Sequence, residues 1–174
     1  MVAESGALLG LRMKLTAEHY FQAARDRIKQ AQALYLQGTG YALTMYDAGV
    51  AVECMLRAFK LRHDATYDER HDLERLFRAS GMLRLSQIAS AGRGAGDQGT
   101  LSGGLRQAVN AVAVLWSNDY RYASEDRLRA HLRNLQLHRG IKGNVLKANA
   151  LRLLKAAQRI VAEGEQLWPV SERK

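Results

Sequence analysis

Apolar residues return at alternating steps of four and three along the first third of the chain: Ala17, Phe21, Ala24, Ile28, Ala31 and Tyr35. That interval lays one buried stripe along an amphipathic helix. Thr16 stands where a hydroxyl caps the start of such a helix, and Gly38 where the chain turns out of it. After Thr39-Gly40 a second helix is predicted from about Tyr41 to His63. Its apolar residues, Met45, Val50, Val52, Met55, Leu56 and Phe59, occupy more than one side, so it is expected to be the most buried helix. Glu53 and Arg57 lie four apart on it and can pair.

Residues 64–70 are polar and read as a loop. A short helix is expected to begin at His71, with Leu73, Leu76 and Phe77 inward, and to stop near Gly81. A brief apolar segment runs from Leu83 to Ile88. The next stretch holds Gly92, Gly94, Gly96, Gly99, Gly103 and Gly104, and reads as a flexible loop. Ser102 is expected to cap a helix that buries Leu105, Ala108, Val112 and Leu115 and ends around Trp116. Residues 125–138 read as a basic helix with Leu128, Leu132 and Leu135 on one face, broken by Gly140 and Gly143. In the last helix Leu146, Ala150, Leu153, Ala157, Ile160, Gly164 and Leu167 again step four and three, and Trp168-Pro169 close it. No strand pattern and no internal repeat is present. The expectation is an all-α fold, an antiparallel up-and-down bundle of four to five main helices with short extra ones. Residues 15–168 form the single domain, with 1–14 and 169–174 as tails.

Composition agrees with a globular chain: 174 residues, 47% of them hydrophobic and 25% charged, with one proline. Cys54 has no partner cysteine and sits in an apolar helical stretch, which reads as a buried, inert thiol in a reducing compartment. The short run Ala7-Leu8-Leu9 follows Glu4 and is not a secretory signal. No stretch is long and apolar enough to span a bilayer. A cytoplasmic protein with no membrane association is expected.

Charge changes the picture more. The net charge is +9, from 26 Lys and Arg against 17 Asp and Glu. The window 121–160 holds Arg121, Arg127, Arg129, Arg133, Arg139, Lys142, Lys147, Arg152, Lys155 and Arg159 against Glu125 and Asp126. Ten minus two leaves +8 in a quarter of the chain. Such a concentration attracts polyanions, nucleic acid above all, or forms a solvated basic face.

Several motifs in order resemble those of HEPN domains, a family of small helical-bundle proteins. They are Tyr20-Phe21-x-x-Ala24 in the first helix and Ala51-Val52-Glu53-Cys54-Met55-Leu56-Arg57-Ala58 in the second. His71-Asp72-Leu73-x-x-Leu76 and Arg121-Tyr122 follow. The resemblance covers roughly residues 15–168. It implies a homodimer. It implies either a metal-independent ribonuclease of toxin–antitoxin or defence systems, or a binding and scaffolding module that lacks the catalytic motif.

The nuclease motif of that family is an Arg, four to six residues, then a His, often with Asn after the Arg. Arg12/His19, Arg57/His63 and Arg133/His138 have about that spacing. Only Arg133-Asn134-Leu135-Gln136-Leu137-His138 carries the Asn and precedes the last helix. RNA brings its own nucleophile, the 2′-hydroxyl. His138 would move the proton, Arg133 would hold the phosphate and Asn134 would orient either. No metal and no cofactor is implied. Residues five apart on a regular helix point about 140° away from each other, so the pair needs a bend near His138, which Gly140 would permit, or a partner subunit.

Arg121, Tyr122, Arg127, Arg129, Arg139 and Lys142 are the candidate nucleic-acid contacts. Trp116, Tyr120 and Tyr122 either stack on bases or fill a hydrophobic seam. Glu53 either pairs with Arg57 or reaches Arg121 or Arg133 at the bundle centre, and His71 reads as a capping or core hydrogen-bonding residue. Gly94-Ala95-Gly96-Asp97-Gln98-Gly99 matches a dinucleotide-binding pattern by letter, but no strand precedes it. The five histidines have no metal-ligand spacing.

Three readings follow. The first is a dimeric module that binds RNA or a nucleotide through its basic C-terminal third, with cleavage by Arg133 and His138. The second is a non-catalytic protein–protein interaction module. The third is a toxin neutralised by a nucleotidyltransferase-like antitoxin.

Overall fold

The structure, a computed structural model, describes residues 15–64, 71–91 and 95–172, with side chains for all of these except 91, 95–102 and 172. Among the described residues it is all-helical. Four long helices are α1 (Ala17–Leu36), α2 (Tyr41–His63), α5 (Ala95–Leu115) and α7 (Val145–Leu167). Three short ones are α3 (Leu73–Ser80), α4 (Met82–Ala91) and α6 (Glu125–Asn134). Two 3-10 turns, Asn118–Tyr122 and Pro169–Glu172, complete the described chain. No helix among the described residues is long and apolar enough to cross a membrane.

The expected stripes are the ones that pack. Ala24, Ile28 and Ala31 of α1 are buried, as are all seven stripe residues of α7. Thr16 caps α1 through a reciprocal pair: its hydroxyl accepts from the His19 N–H, and His19 Nδ1 accepts from the Thr16 N–H. Helix α2 is the axis of the fold. It forms a hairpin with α1 and packs against α7 and α3, and 16 of its 23 residues are buried. Helix α5 packs against α7 and α4.

Trp168 pins the end of α7. Its ring stacks on Phe21 of α1 at 4.2 Å and meets Phe59 of α2 edge-on at 5.2 Å. The Arg62 guanidinium covers the same indole, 3.2 Å from its centroid, and donates to the Trp168 carbonyl and to Ser171 Oγ. Residues 169–172, read from sequence as tail, therefore form a 3-10 turn with Ser171 buried.

Two boundaries differ from expectation. The glycine-rich stretch is not a loop up to Ser102: α5 begins at Ala95 and runs through Gly96, Gly99, Gly103 and Gly104. Tertiary packing of its C-terminal half holds a helix that glycine disfavours by roughly 1 kcal/mol per residue. Helix α3 starts at Leu73, not His71, because the Asp72 carboxylate accepts the Arg75 N–H at 3.0 Å and takes the capping position. The expected lead-in 1–14 and loop residues 65–70, with Gly92 and Gly94, lie outside the described residues.

Candidate nucleic-acid interface

Helix α6 presents the basic segment. Ser124 caps it by accepting the Arg127 N–H at 3.3 Å. Leu128 and Leu132 anchor it to the core, which leaves Arg127 and Arg133 exposed. The two anions of the basic window have other employment. Glu125 accepts the backbone N–H of Tyr41 at 2.9 Å and so caps α2, whose own N-cap residue, Gly40, has no side chain to offer. Asp126 holds the Arg129 guanidinium at 2.6 Å, and Glu125 lies 3.9 Å from it. Arg129 is thereby committed to carboxylates and differs from the other candidate contacts.

The helix does not run to His138. It ends at Asn134 in a two-bond C-terminal motif: the Leu137 N–H donates to the Leu132 carbonyl at 2.9 Å, and the Gln136 N–H to the Arg133 carbonyl at 2.8 Å. Gln136 takes the left-handed position, φ 58°, the one non-glycine residue with positive φ among the described residues. The bend thus falls between Arg133 and His138, four residues before Gly140. Leu135, expected inward, is 50% exposed, and Leu137 packs against the core in its place. The turn is braced from α7, where fully buried Asn149 donates through Nδ2 to the Leu137 carbonyl at 3.1 Å and the Val145 carbonyl at 3.0 Å.

Arg133, Asn134, His138, Arg139 and Lys142 are all exposed. Among the described residues, none of these side chains has an ion pair or hydrogen-bonding partner. The turn Asn118–Tyr122 contributes the aromatic part. Tyr122 is 77% exposed, and the Arg121 guanidinium lies 4.5 Å from its ring centroid. Tyr120 goes the other way. It is buried, its ring meets His131 edge-on at 5.9 Å, and burial pushes its hydroxyl pKa up to about 12. Trp116 is also buried, so of the three clustered aromatics only Tyr122 is available for stacking.

Glu53 belongs to a different place. Its carboxylate, 7% exposed, accepts Arg57 Nε at 2.8 Å and lies 2.8 Å from His71 Nδ1. Neither Arg121 nor Arg133 is among its partners. His71 is a hydrogen-bonding neighbour of Glu53 rather than a cap. The other Arg/His spacings dissolve in the fold: His19 serves the cap of α1 and Arg57 the Glu53 pair, while Arg12 is outside the described residues. Burial, with the Glu53 carboxylate adding to it, pushes the Cys54 thiol up to about 11, so it carries no thiolate at neutral pH.

Sequence reasoning missed Asn149. Its only signal was an amide next to the buried stripe of α7, between Leu146 and Ala150. Compared with known protein families, curated proteins and solved structures, the chain has no match.

Proposed function

We propose that this protein is a HEPN-type antiparallel helical module that binds RNA through the surface formed by residues 121–142. One observation carries the reading: Arg127, Arg133, Arg139 and Lys142 are exposed without carboxylate partners among the described residues, beside the exposed Arg121–Tyr122 pair. Phosphates neutralise such cations and release counterions, and an exposed aromatic ring stacks on any base. The two anions that could have quenched the surface are spent on the α2 N-terminus and on Arg129.

A second reading, cleavage, is favoured by the backbone at Gln136. A left-handed non-glycine residue stores strain, and such strain concentrates at functional turns. Here it lies between Arg133 and His138 and is held by Asn149. In the cleavage reaction the 2′-hydroxyl attacks the adjacent phosphorus and the 5′-oxygen leaves, giving a cyclic 2′,3′-phosphate. His138 takes or returns the proton and Arg133 holds the charge of the phosphorane. A second copy of the chain would complete the site from the opposite side, since one copy leaves both residues open to solvent.

The test is fluorescence anisotropy with a labelled single-stranded RNA, followed by incubation of the same RNA in EDTA. Wild type is expected to bind with a steep salt dependence, and Arg127→Ala/Arg139→Ala/Lys142→Ala to bind at least about tenfold more weakly. Equal binding by that variant removes the RNA reading. Cleavage by wild type but not by Arg133→Ala/His138→Ala selects the catalytic reading. Intact RNA with binding retained selects the non-catalytic one.

A further inference from the structure

A small hollow lies between the 3-10 turn Asn118–Tyr122 and the first two turns of α6. Its volume is about 200 Å³. That is below the roughly 300–1,000 Å³ of sites for drug-sized molecules, so it has room for a compact ligand only. The turn contributes Asp119 and Tyr120, and α6 contributes Arg127, Leu128 and His131. Local structure sets them there. Ser117 caps the turn by accepting the Asp119 N–H at 3.3 Å, and Ser124 caps α6 by accepting the Arg127 N–H at 3.3 Å. Buried Leu128 fixes the helix to the core.

Two opposite charges line the hollow. The side chains of Asp119 and Arg127 are exposed, and neither has an ion pair or hydrogen-bonding partner among the described residues. They stand too far apart to pair with each other. The third polar group is the Tyr120 hydroxyl. This residue is 5% exposed and lines the hollow, and its hydroxyl has no hydrogen-bonding partner among the described residues. A buried tyrosine hydroxyl ordinarily finds one. Burial keeps it protonated at neutral pH, so it offers a donor. The edge-on contact with His131 holds the ring that carries it.

These groups together select a ligand. A simple anion meets Arg127 but is repelled by Asp119, and a simple cation meets the reverse. A molecule that carries both charges satisfies both walls. The guanidinium takes a carboxylate through two parallel bonds, and the Asp119 carboxylate accepts from an ammonium group. The Tyr120 hydroxyl can donate to a lone pair that the guanidinium leaves free. The remaining wall, Ala123 and Leu128, is apolar. We propose that this hollow binds a free α-amino acid with an aliphatic side chain, its carboxylate on Arg127 and Tyr120 and its ammonium on Asp119. Arg127 is shared with the surface proposed for RNA, but the amino-acid site does not depend on that reading.

The experiment is isothermal titration calorimetry of the full chain with L-leucine and L-valine, beside leucinamide, which lacks the carboxylate, and N-acetylleucine, which lacks the ammonium. Wild type is compared with Asp119→Asn, Arg127→Ala and Tyr120→Phe, with folding checked by circular dichroism. Asp119 and Arg127 are exposed, so their variants are expected to fold. The proposal expects L-leucine or L-valine to saturate one site per chain, and leucinamide and N-acetylleucine to bind at least about tenfold more weakly. Each of the three variants should weaken binding of the amino acid by about tenfold, the scale of one hydrogen bond to a charged group. Tyr120→Phe should do so without lowering the unfolding temperature of the ligand-free protein, because the hydroxyl it removes has no partner there. Three results overturn the proposal. The first is no saturable heat with either amino acid at millimolar concentration. The second is leucinamide or N-acetylleucine binding as tightly as L-leucine. The third is undiminished binding in Asp119→Asn or Arg127→Ala, or a Tyr120→Phe protein that loses stability and keeps its affinity.

Discussion

The indole of Trp116 lies directly on Gly49. A Cβ at position 49 would stand 2.0 Å from the indole Cδ1, while Nε1–H donates to the Tyr46 carbonyl at 3.2 Å. The ring is therefore held both by contact and by direction, and α2 must have no side chain at this point for the segment after α5 to close onto it. Gly49→Ala is expected to destabilise the fold by about 2 kcal/mol, the usual scale of overpacking a tight core. Urea unfolding would measure it. In Trp116→Leu, where the clash is smaller, the same substitution should cost clearly less.

The two buried carboxylates of α2 are expected to differ in what neutralisation costs. Glu53 serves two partners, and Arg57 is buried beside it with 5% of its side chain exposed. Glu53→Gln removes the counter-charge of a buried cation and should cost about 3 kcal/mol, read by chemical denaturation. A cost below about 1 kcal/mol would show that the Glu53 pairs contribute little.

Asp47 is buried and its ion-pair partner Arg27 is 45% exposed, so the pair is weak. Burial raises the Asp47 pKa, with Arg27 opposing the rise. The folded state then binds the proton more tightly than the unfolded state. Stability contributed by this group is present below its ordinary value of 3.8 and falls as pH rises through the raised native value. Asp47→Asn should therefore be within about 1 kcal/mol of wild type at neutral pH. Its stability relative to wild type should increase as pH rises through that interval. Denaturation at a series of pH values checks the sign, and an improvement on acidification would contradict it.

Gln136 occupies a position that favours glycine. Gln136→Gly should stabilise the protein by about 0.5–1 kcal/mol, and a β-branched Gln136→Val should destabilise it by a similar or larger amount. Thermal unfolding reads both. If the strain serves cleavage, the more stable glycine variant should cut RNA more slowly than wild type.

Salt separates the cations of the proposed RNA surface. The slope of log K against log salt for single-stranded RNA should flatten by about 0.7 for each phosphate contact removed. Arg127→Ala, Arg139→Ala and Lys142→Ala should each show that change. Arg129→Ala should leave the slope unaltered, because Asp126 and Glu125 already hold its guanidinium. A flattened slope for Arg129 would mean that RNA draws it away from those carboxylates.

The all-helical class, the stripes of α1 and α7, the burial of α2 and the pairing of Glu53 with Arg57 are properties of local spacing. Alternating steps of four and three mark one face of a helix wherever the chain goes, and residues four apart meet without help from any other element. The concentration of charge in 121–160 is likewise a count along the chain. Tertiary structure decided what that charge can do. Glu125 reaches 84 residues back to cap α2, and Asn149 holds the turn at Leu137 from a neighbouring helix. Gln136, which lacks glycine's freedom, takes the left-handed turn because Leu137 must enter the core. Spacing reports which face of an element is buried. Which faces meet depends on packing that minimises exposed apolar surface over the whole chain.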